Sequence, residues 1–408
     1  TIPRARSMPT KPAPLLQPFA GVLPSPDKAH LVATRSYLTY SDYELKDKLS
    51  RNPYSYLHVI HPDGMLDSGM GRIREAFRAF LERGWLMPDA ASHYYVLRQS
   101  GPLGTCTGVI GLVPTAAAVQ GRIKVHESTL AKRENLFAQY LSSVGLNAEP
   151  ALLAHPENAA LDAVLESVTQ EAAPFDFTTA DGVRHTLWRT NAAQRQTLAS
   201  AYGEMEAAYI ADGHHRVASS MRMAAAHPEH RDAHAFMALL VPGKQLIFRG
   251  YHRILRSKNG GDDFTQALDR LHDIPGAQWR PGTDGLNPQA GHICLRGRQK
   301  GTLHIAEALA SSGLSEAEWL QQHVLEPLFD IHDPRLDPRL DYLPGDLDAP
   351  ALEQATAGDD RLAFIMPAMT FQGLQAVADA GRFMPPKSTW IAPKLRSGLT
   401  LFDFGPAS

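Results

Sequence analysis

Apolar positions fall into two periodicities along this chain. Met70, Ile73, Phe77, Phe80 and Leu81 recur three and four residues apart, with Arg and Glu between them. That spacing predicts a helix following the turn HPDG at 61–64. Leu130, Phe137, Tyr140, Leu141 and Val144 form a second stripe, and the residues before it, GRIKV from 121, look like a strand. Glu127 therefore falls at a strand-to-helix junction or in the first helical turn. The segments 191–205, 316–329 and 371–381 read as further helices. Short apolar runs predict strands at SYLHVI (55–60), HYYVLRQSG (93–101), TGVIGLVP (107–114), EPALLAH (149–155), DGVRHTLWRT (181–190), HAFMALLVP (234–242), QLIFRGYHRIL (245–255) and LAFIMPAM (362–369). The runs at 93–101 and 107–114 flank a glycine-bearing connection and predict a hairpin; 234–242 and 245–255 flank a GK turn. Residues 1–30 are rich in proline, with Pro12, Pro14, Pro18, Pro24 and Pro26 among them, and predict an extended arm on the surface. Residues 257–300 are turn-rich, and the polar, Pro-rich 333–350 reads as a loop. Strands and helices alternate without strict βαβ spacing, so the predicted class is α/β with a mixed sheet, α+β being the neighbouring possibility.

Composition narrows the function classes. A chain of 408 residues, 44% hydrophobic and 20% charged, is expected to form two domains or one elaborated unit. Its formal net charge of -3 gives no global basic surface, so nucleic acid is not an expected partner. Cys106 and Cys294, the only two cysteines, form neither a disulfide framework nor a zinc ribbon. They suit a reducing compartment, and a cytoplasmic location is expected. No stretch approaches the roughly 20 apolar residues of a membrane span, and TIPRARSMPTKPAPLL has no apolar core of a signal peptide.

The densest chemistry lies in YIADGHHRVASSM, 209–221, which reads as strand, tight turn, helix. Gly213 permits a positive φ and close approach of a ligand to the backbone. The helix start offers free N–H groups and a dipole that favours an anion. His214, His215 and Arg216 add donors or positive charge there, and Asp212 can hold Mg²⁺ or orient a nucleophile. An acid beside an anion cradle suits phosphoryl transfer. Alternatively Asp212 caps the helix and the histidines are structural; a zinc site lacks its usual spacing. A second feature is KVHESTLAKRE, where Glu127 after His126 is a general base for a hydroxyl or a solvated helix-start glutamate. A third is GRFMPPKSTWIAPKLRSGLTLFDF, 381–404, in which Lys387, Ser388 and Thr389 offer a cation and two hydroxyls to a phosphate or carboxylate, or simply build a turn.

Five segments together carry a resemblance: NPYSYLHVI (52–60), GRIKVHEST (121–129), YIADGHHR (209–216), YHRIL (251–255) and PPKSTWIAPKLRSGLTLF (385–402). The chain resembles the bacterial and archaeal family known as domain of unknown function ten-fifteen. Its Asp-Gly-His-His-Arg turn is similar to that of the ParB/sulfiredoxin-like fold, and the archaeal free serine kinases pair such a turn with an upstream His-Glu and a Pro-Lys-Ser/Thr segment. The resemblance implies an elaborated ParB/sulfiredoxin-like core with large N-terminal and inserted regions. Four parts follow: a Pro-rich arm (1–30), an N-terminal α/β region (31–120), a catalytic core with an insertion (121–256), and a C-terminal region (257–408) returning Lys-Ser-Thr to the site. It implies a small-molecule kinase acting on the hydroxyl of a free amino acid, serine first and threonine second. Glu127 and Asp212 would be catalytic, with Asp212 the metal ligand. Gly213, His214, His215 and Arg216 would bind the phosphoryl donor. His126, Tyr251, Lys387, Ser388 and Thr389 would contact substrate or phosphate. Mg²⁺ is the implied cofactor, and ATP, ADP or pyrophosphate the donor, there being no Walker-type lysine loop. The sequence departs from the compact kinases in the long stretch that separates Glu127 from Asp212, about 85 residues, and in its N-terminal region, whose opening PFAGVLPSPDKAHLVATRSYLTYSDYE is a degenerate form of the family's. The alternative is a nucleotide-binding regulator of ParB type without kinase activity. A sulfiredoxin-type redox enzyme would need a cysteine in the turn, which holds none. Oligomeric state is left open.

Overall fold

The computed structural model describes residues 13–60, 66–282, 285–297, 299–358 and 360–407. The first part of the arm, residues 1–12, and the HPDG turn at 61–64 lie outside them. The chain divides into two compact units, one of residues 1–124, 129–246 and 393–408, the other of residues 125–128 and 247–392. The fold is α/β with a large mixed sheet. Among the described residues no helix is long and apolar enough to cross a membrane.

The first unit is built on an eight-stranded mixed sheet. From edge to edge it runs Ile123–Lys124, Ala208–Asp212, Ala151–His155, Ala235–Pro242, Gly104–Pro114, Tyr95–Gly101, Arg184–Arg189 and Phe175–Thr178. The expected hairpin is present, with Tyr95 opposite Ile110 and Gly101 opposite Gly104. Two pairings are parallel, Ala208–Asp212 with Ile123–Lys124 and Ala235–Pro242 with Ala151–His155. Strands buried on both faces read as continuous apolar runs rather than alternating ones, and Ala151–His155 is buried at every position. Helices Ala159–Thr169, Ala192–Glu204 and His214–Ala226 send Leu161, Leu165, Leu198 and Val217 into the same core as Val96, Leu153, Ile210 and Leu240. The helix predicted from Met70 onward is Leu66–Glu82, and Met70, Ile73, Phe77 and Phe80 enter a second core with Val144 and Leu401.

Two expectations for this unit are corrected. SYLHVI contains a helical turn, Leu57–Ile60, because the Ser55 hydroxyl accepts from Leu57 N–H while Tyr56 and Val59 pack into the second core. A run of four to eight apolar residues cannot by itself distinguish strand from buried helix. The proline-rich arm does not lie on the surface where it is described. Leu15 and Leu16 are fully buried, and Gln17 and Phe19 bridge to Leu112 and His93.

The second unit is built on a six-stranded antiparallel sheet in the order Gln278–Pro281, Gly301–His304, His292–Arg296, Arg361–Ile365, His252–Arg256 and Leu340–Leu343. Helices Asp262–Asp269, Glu316–Leu320 and Glu326–Phe329 cover it with a core that includes Phe264, Trp319, Phe329, Leu255 and Phe364. QLIFRGYHRIL is not one strand. Ile247–Arg249 pairs with Trp390–Ala392 in a separate ribbon, and His252–Arg256 enters the large sheet. The break falls at Gly250, where a Cβ would lie 1.9 Å from the Met366 carbonyl oxygen. The loop expected at 333–350 contains the edge strand Leu340–Leu343, recruited by pairing with His252–Arg256.

Candidate functional site

In the first unit the chemistry gathers where strand Ala208–Asp212 ends. Its pairing with Ala151–His155 slips between Ile210 and Asp212, so Ala211 is an extra residue and Asp212 takes the place opposite Leu152. Such bulges re-aim side chains at strand ends. Gly213 then turns the chain at φ 99° and serves as N-cap of helix His214–Ala226. No side chain caps this helix, so Asp212 is not its cap. Instead Asp212 Oδ2 accepts from Lys394 Nζ at 3.2 Å. Burial acts to raise the Asp212 pKa, but Lys394, Arg216 and His214 outweigh it and hold the carboxyl well below the usual range. Arg216 is braced from behind by an ion pair to Glu149 at 2.6 Å and by donation to the Pro150 carbonyl.

The helix bearing the turn is itself fixed. Glu134, on helix Ala131–Val144, accepts from Thr129 and, at 2.7 Å, from Arg222 on helix His214–Ala226. The Thr129 and Arg222 bonds hold the Glu134 pKa below its ordinary value against burial, and His215 adds to the same field. Mg²⁺ is commonly bound by one or two carboxylates together with substrate phosphates. Asp212, 42% exposed and with Lys394 on one oxygen, fits that role when a donor supplies the phosphates.

The remaining sequence-predicted residues belong to the second unit. Residues 125–128 run there as extended chain, Glu127 forming a parallel bridge with Met384, whose N–H donates to the His126 carbonyl at 2.9 Å. Helix Ala131–Val144 starts after Leu130, so Glu127 stands at the junction and not in a helical turn. The His126 side chain is buried. Lys387 adopts φ 58°, rare outside glycine, and its Nζ lies 5.3 Å from the centre of the Tyr251 ring. Ser388 Oγ donates to the Pro385 carbonyl at 2.6 Å, so that hydroxyl closes its own turn. Thr389 leads into the ribbon strand Trp390–Ala392.

Residues 16–325 match the family described as "Protein of unknown function (DUF1015)". The chain belongs to the DUF1015 family. The PPKSTWIAPKLRSGLTLF segment lies beyond the matched stretch of this DUF1015 protein. No curated protein matches the chain. Among solved structures it is similar to "SbnI with C-terminal truncation from Staphylococcus aureus", at TM-score 0.40 and 10% identity over 69% of this chain and 82% of that one. It is similar to a "Free serine kinase in complex with AMP", at TM-score 0.39 and 14% identity over 72% and 90%. A conserved hypothetical protein from Pyrococcus furiosus gives TM-score 0.38 and 13% identity over 70% and 93%.

Sequence reading missed Lys394 in the DUF1015 chain. The second Pro-Lys of PPKSTWIAPKL was visible, but the first lysine drew the assignment because it adjoins two hydroxyls. The structure puts Lys387 against Tyr251 in one unit and Lys394 on Asp212 in the other. The Lys394 carbonyl is fixed by the buried Gln99, whose Nε2 donates to it at 3.2 Å.

Proposed function

We propose that this protein is a small-molecule kinase that transfers a phosphoryl group to the hydroxyl of a free amino acid, serine before threonine. The observation that carries the reading is the turn at 212–216, where a half-exposed carboxylate stands among Lys394, Arg216 and His214 at the uncapped N-terminus of a 13-residue helix. The N–H groups of a helix start suit the phosphates of a nucleotide or of pyrophosphate. His214, His215 and Lys394 add donors or charge, and Gly213 lets the phosphates come near the backbone. Asp212 would hold Mg²⁺, and the chemistry the ion would supply there is charge neutralisation during the transfer. Lys394 exchanges its bond to Asp212 for one to the donor.

Glu127 is assigned to the acceptor. A serine hydroxyl is a weak nucleophile, and a positioned carboxylate can accept its proton as the O–P bond forms. His126, Tyr251, Lys387 and Thr389 are assigned to the acceptor's other groups. The test is the purified protein with Mg²⁺, a panel of ATP, ADP and pyrophosphate, and a panel of free amino acids, read by phosphorus NMR. A new phosphomonoester signal with serine supports the reading. Nucleotide binding without any phosphoryl transfer to the panel would instead support a ParB-type regulator.

A further inference from the structure

We infer that the second unit holds a carboxylate-binding site centred on Arg253, which takes the α-carboxylate of the amino-acid acceptor. This deepens the kinase reading and rests on it for the identity of the ligand. Arg253 lies on strand His252–Arg256, opposite Tyr342 on one side and Phe364 on the other, and is 2% exposed. Its Nη1 donates to the Tyr251 carbonyl at 2.9 Å. Its Nη2 is buried and has no hydrogen-bond partner. Among the described residues no carboxylate forms an ion pair with it. Burial lowers its pKa to about 10, with the Tyr342 hydroxyl working weakly the other way.

A buried guanidinium without a counter-ion is costly, and proteins rarely keep one unless something pairs with it. This one sits in the YHRIL segment. The Tyr342 ring is 5.9 Å from the Arg253 guanidinium carbon, the Tyr251 ring packs edge-on against it at 6.2 Å, and Lys387 Nζ lies over the Tyr251 ring. The Tyr342 ring thus faces the buried fork and the Tyr251 ring the exposed ammonium. A guanidinium fork matches the planar, singly charged carboxylate through paired hydrogen bonds. A polyphosphate would call for more cations than one fork supplies. Glu127, assigned to the acceptor hydroxyl, belongs to the same unit, and its charge reaches Tyr342.

The test is a binding panel on the full chain, measured by calorimetry without a phosphoryl donor. L-serine and L-alanine keep the carboxylate, L-serinamide and ethanolamine lack it, and inorganic phosphate probes for a general anion site. Serine and alanine should bind about ten- to a hundredfold more tightly than serinamide or ethanolamine, the usual effect of losing a charge-assisted bond. Arg253→Met should erase that preference while unfolding at the same temperature as the unliganded parent or higher, since it removes an unmatched buried charge. Equal binding of serine and serinamide, displacement of serine by millimolar inorganic phosphate, or no binding of any panel member would overturn the site. The serine-serinamide comparison on the unmodified chain decides the matter even if the variant does not fold. Because alanine has no hydroxyl to phosphorylate, Arg253-dependent alanine binding in a chain that transfers no phosphate would sink the kinase reading alone.

Discussion

Lys394→Met separates what the Lys394–Asp212 pair does for the fold from what it does for a ligand. The two charges stand 3.2 Å apart, and their side chains keep 47% and 42% of their exposure. Exposed pairs of this kind contribute only about 0–1 kcal/mol to stability. The methionine also retains the apolar stem, so the variant should unfold within about 1 kcal/mol of the parent. The Asp212 carboxyl should titrate higher, because Lys394 is foremost among the cations that counter its burial. Donor binding should respond far more. A bond from an ammonium to a phosphate oxygen contributes about 1.5–3 kcal/mol, so affinity for ATP, ADP or pyrophosphate should fall roughly ten- to 150-fold. Calorimetry with each donor in the presence of Mg²⁺ measures this, with urea unfolding as the control. A variant that binds the donors as tightly as the parent would refute the assignment of Lys394 to the donor. Loss of several kcal/mol of stability would show instead that the lysine is a structural element.

Asp212→Asn should leave the fold intact, since no helix cap is lost, and should remove most phosphoryl transfer in the phosphorus NMR assay. Glu127→Gln should keep donor affinity and reduce turnover by roughly 10²–10⁴-fold, the range of general-base catalysis; unchanged turnover would remove Glu127 from the mechanism. His185 gives a pH signature. Burial foremost, then Arg396, lowers its pKa from 6.5 to about 3. Above 6.5 neither state is protonated and the contribution is whole; as pH falls from 6.5 toward 3 only the unfolded chain takes the proton, and stability declines by about 1.4 kcal/mol per pH unit. His185→Gln should therefore flatten the slope of unfolding free energy between pH 6 and 4, and an unaltered slope would contradict the buried neutral imidazole. Gly250→Ala should destabilise the second unit by more than about 1 kcal/mol in chemical denaturation, because its methyl carbon would meet the Met366 carbonyl oxygen.

Local signals in the chain proved legible where the fold obeys local rules. The hairpin of Tyr95–Gly101 and Gly104–Pro114 follows from two apolar runs and a short glycine-bearing link. The Asp-Gly-His-His-Arg segment folds as strand, turn and helix because Gly213 alone in it tolerates φ 99°. Periodicity failed where tertiary contact chose between equal options. Leu57–Ile60 coils because Tyr56 and Val59 have a core to enter, and the chain breaks at Gly250 because the Met366 backbone passes too close for a side chain. Leu340–Leu343 lies inside a polar, Pro-rich stretch that reads as loop, yet it pairs with His252–Arg256 at the sheet edge.

Charges are harder to read than apolar stripes, because the partner of a charge is set by topology and not by spacing. Lys394 reaches an aspartate 182 positions away, and no periodicity encodes that distance. Arg253 is harder still. In sequence it is a charged residue next to the apolar pair Ile254 and Leu255, with nothing to mark it as buried, whereas His252–Arg256 lies between two neighbours and is buried from His252 to Leu255. A basic residue inside such a strand is buried with its charge, and its worth to the protein then depends on what pairs with it. Asp212 and Arg253 are opposite cases of the same physics. The acid is half-exposed and has cations around it, and in the proposed reading Lys394 would leave it for the donor while a metal takes that place. The base is buried with its Nη2 unmatched, which in the inference above a carboxylate would satisfy.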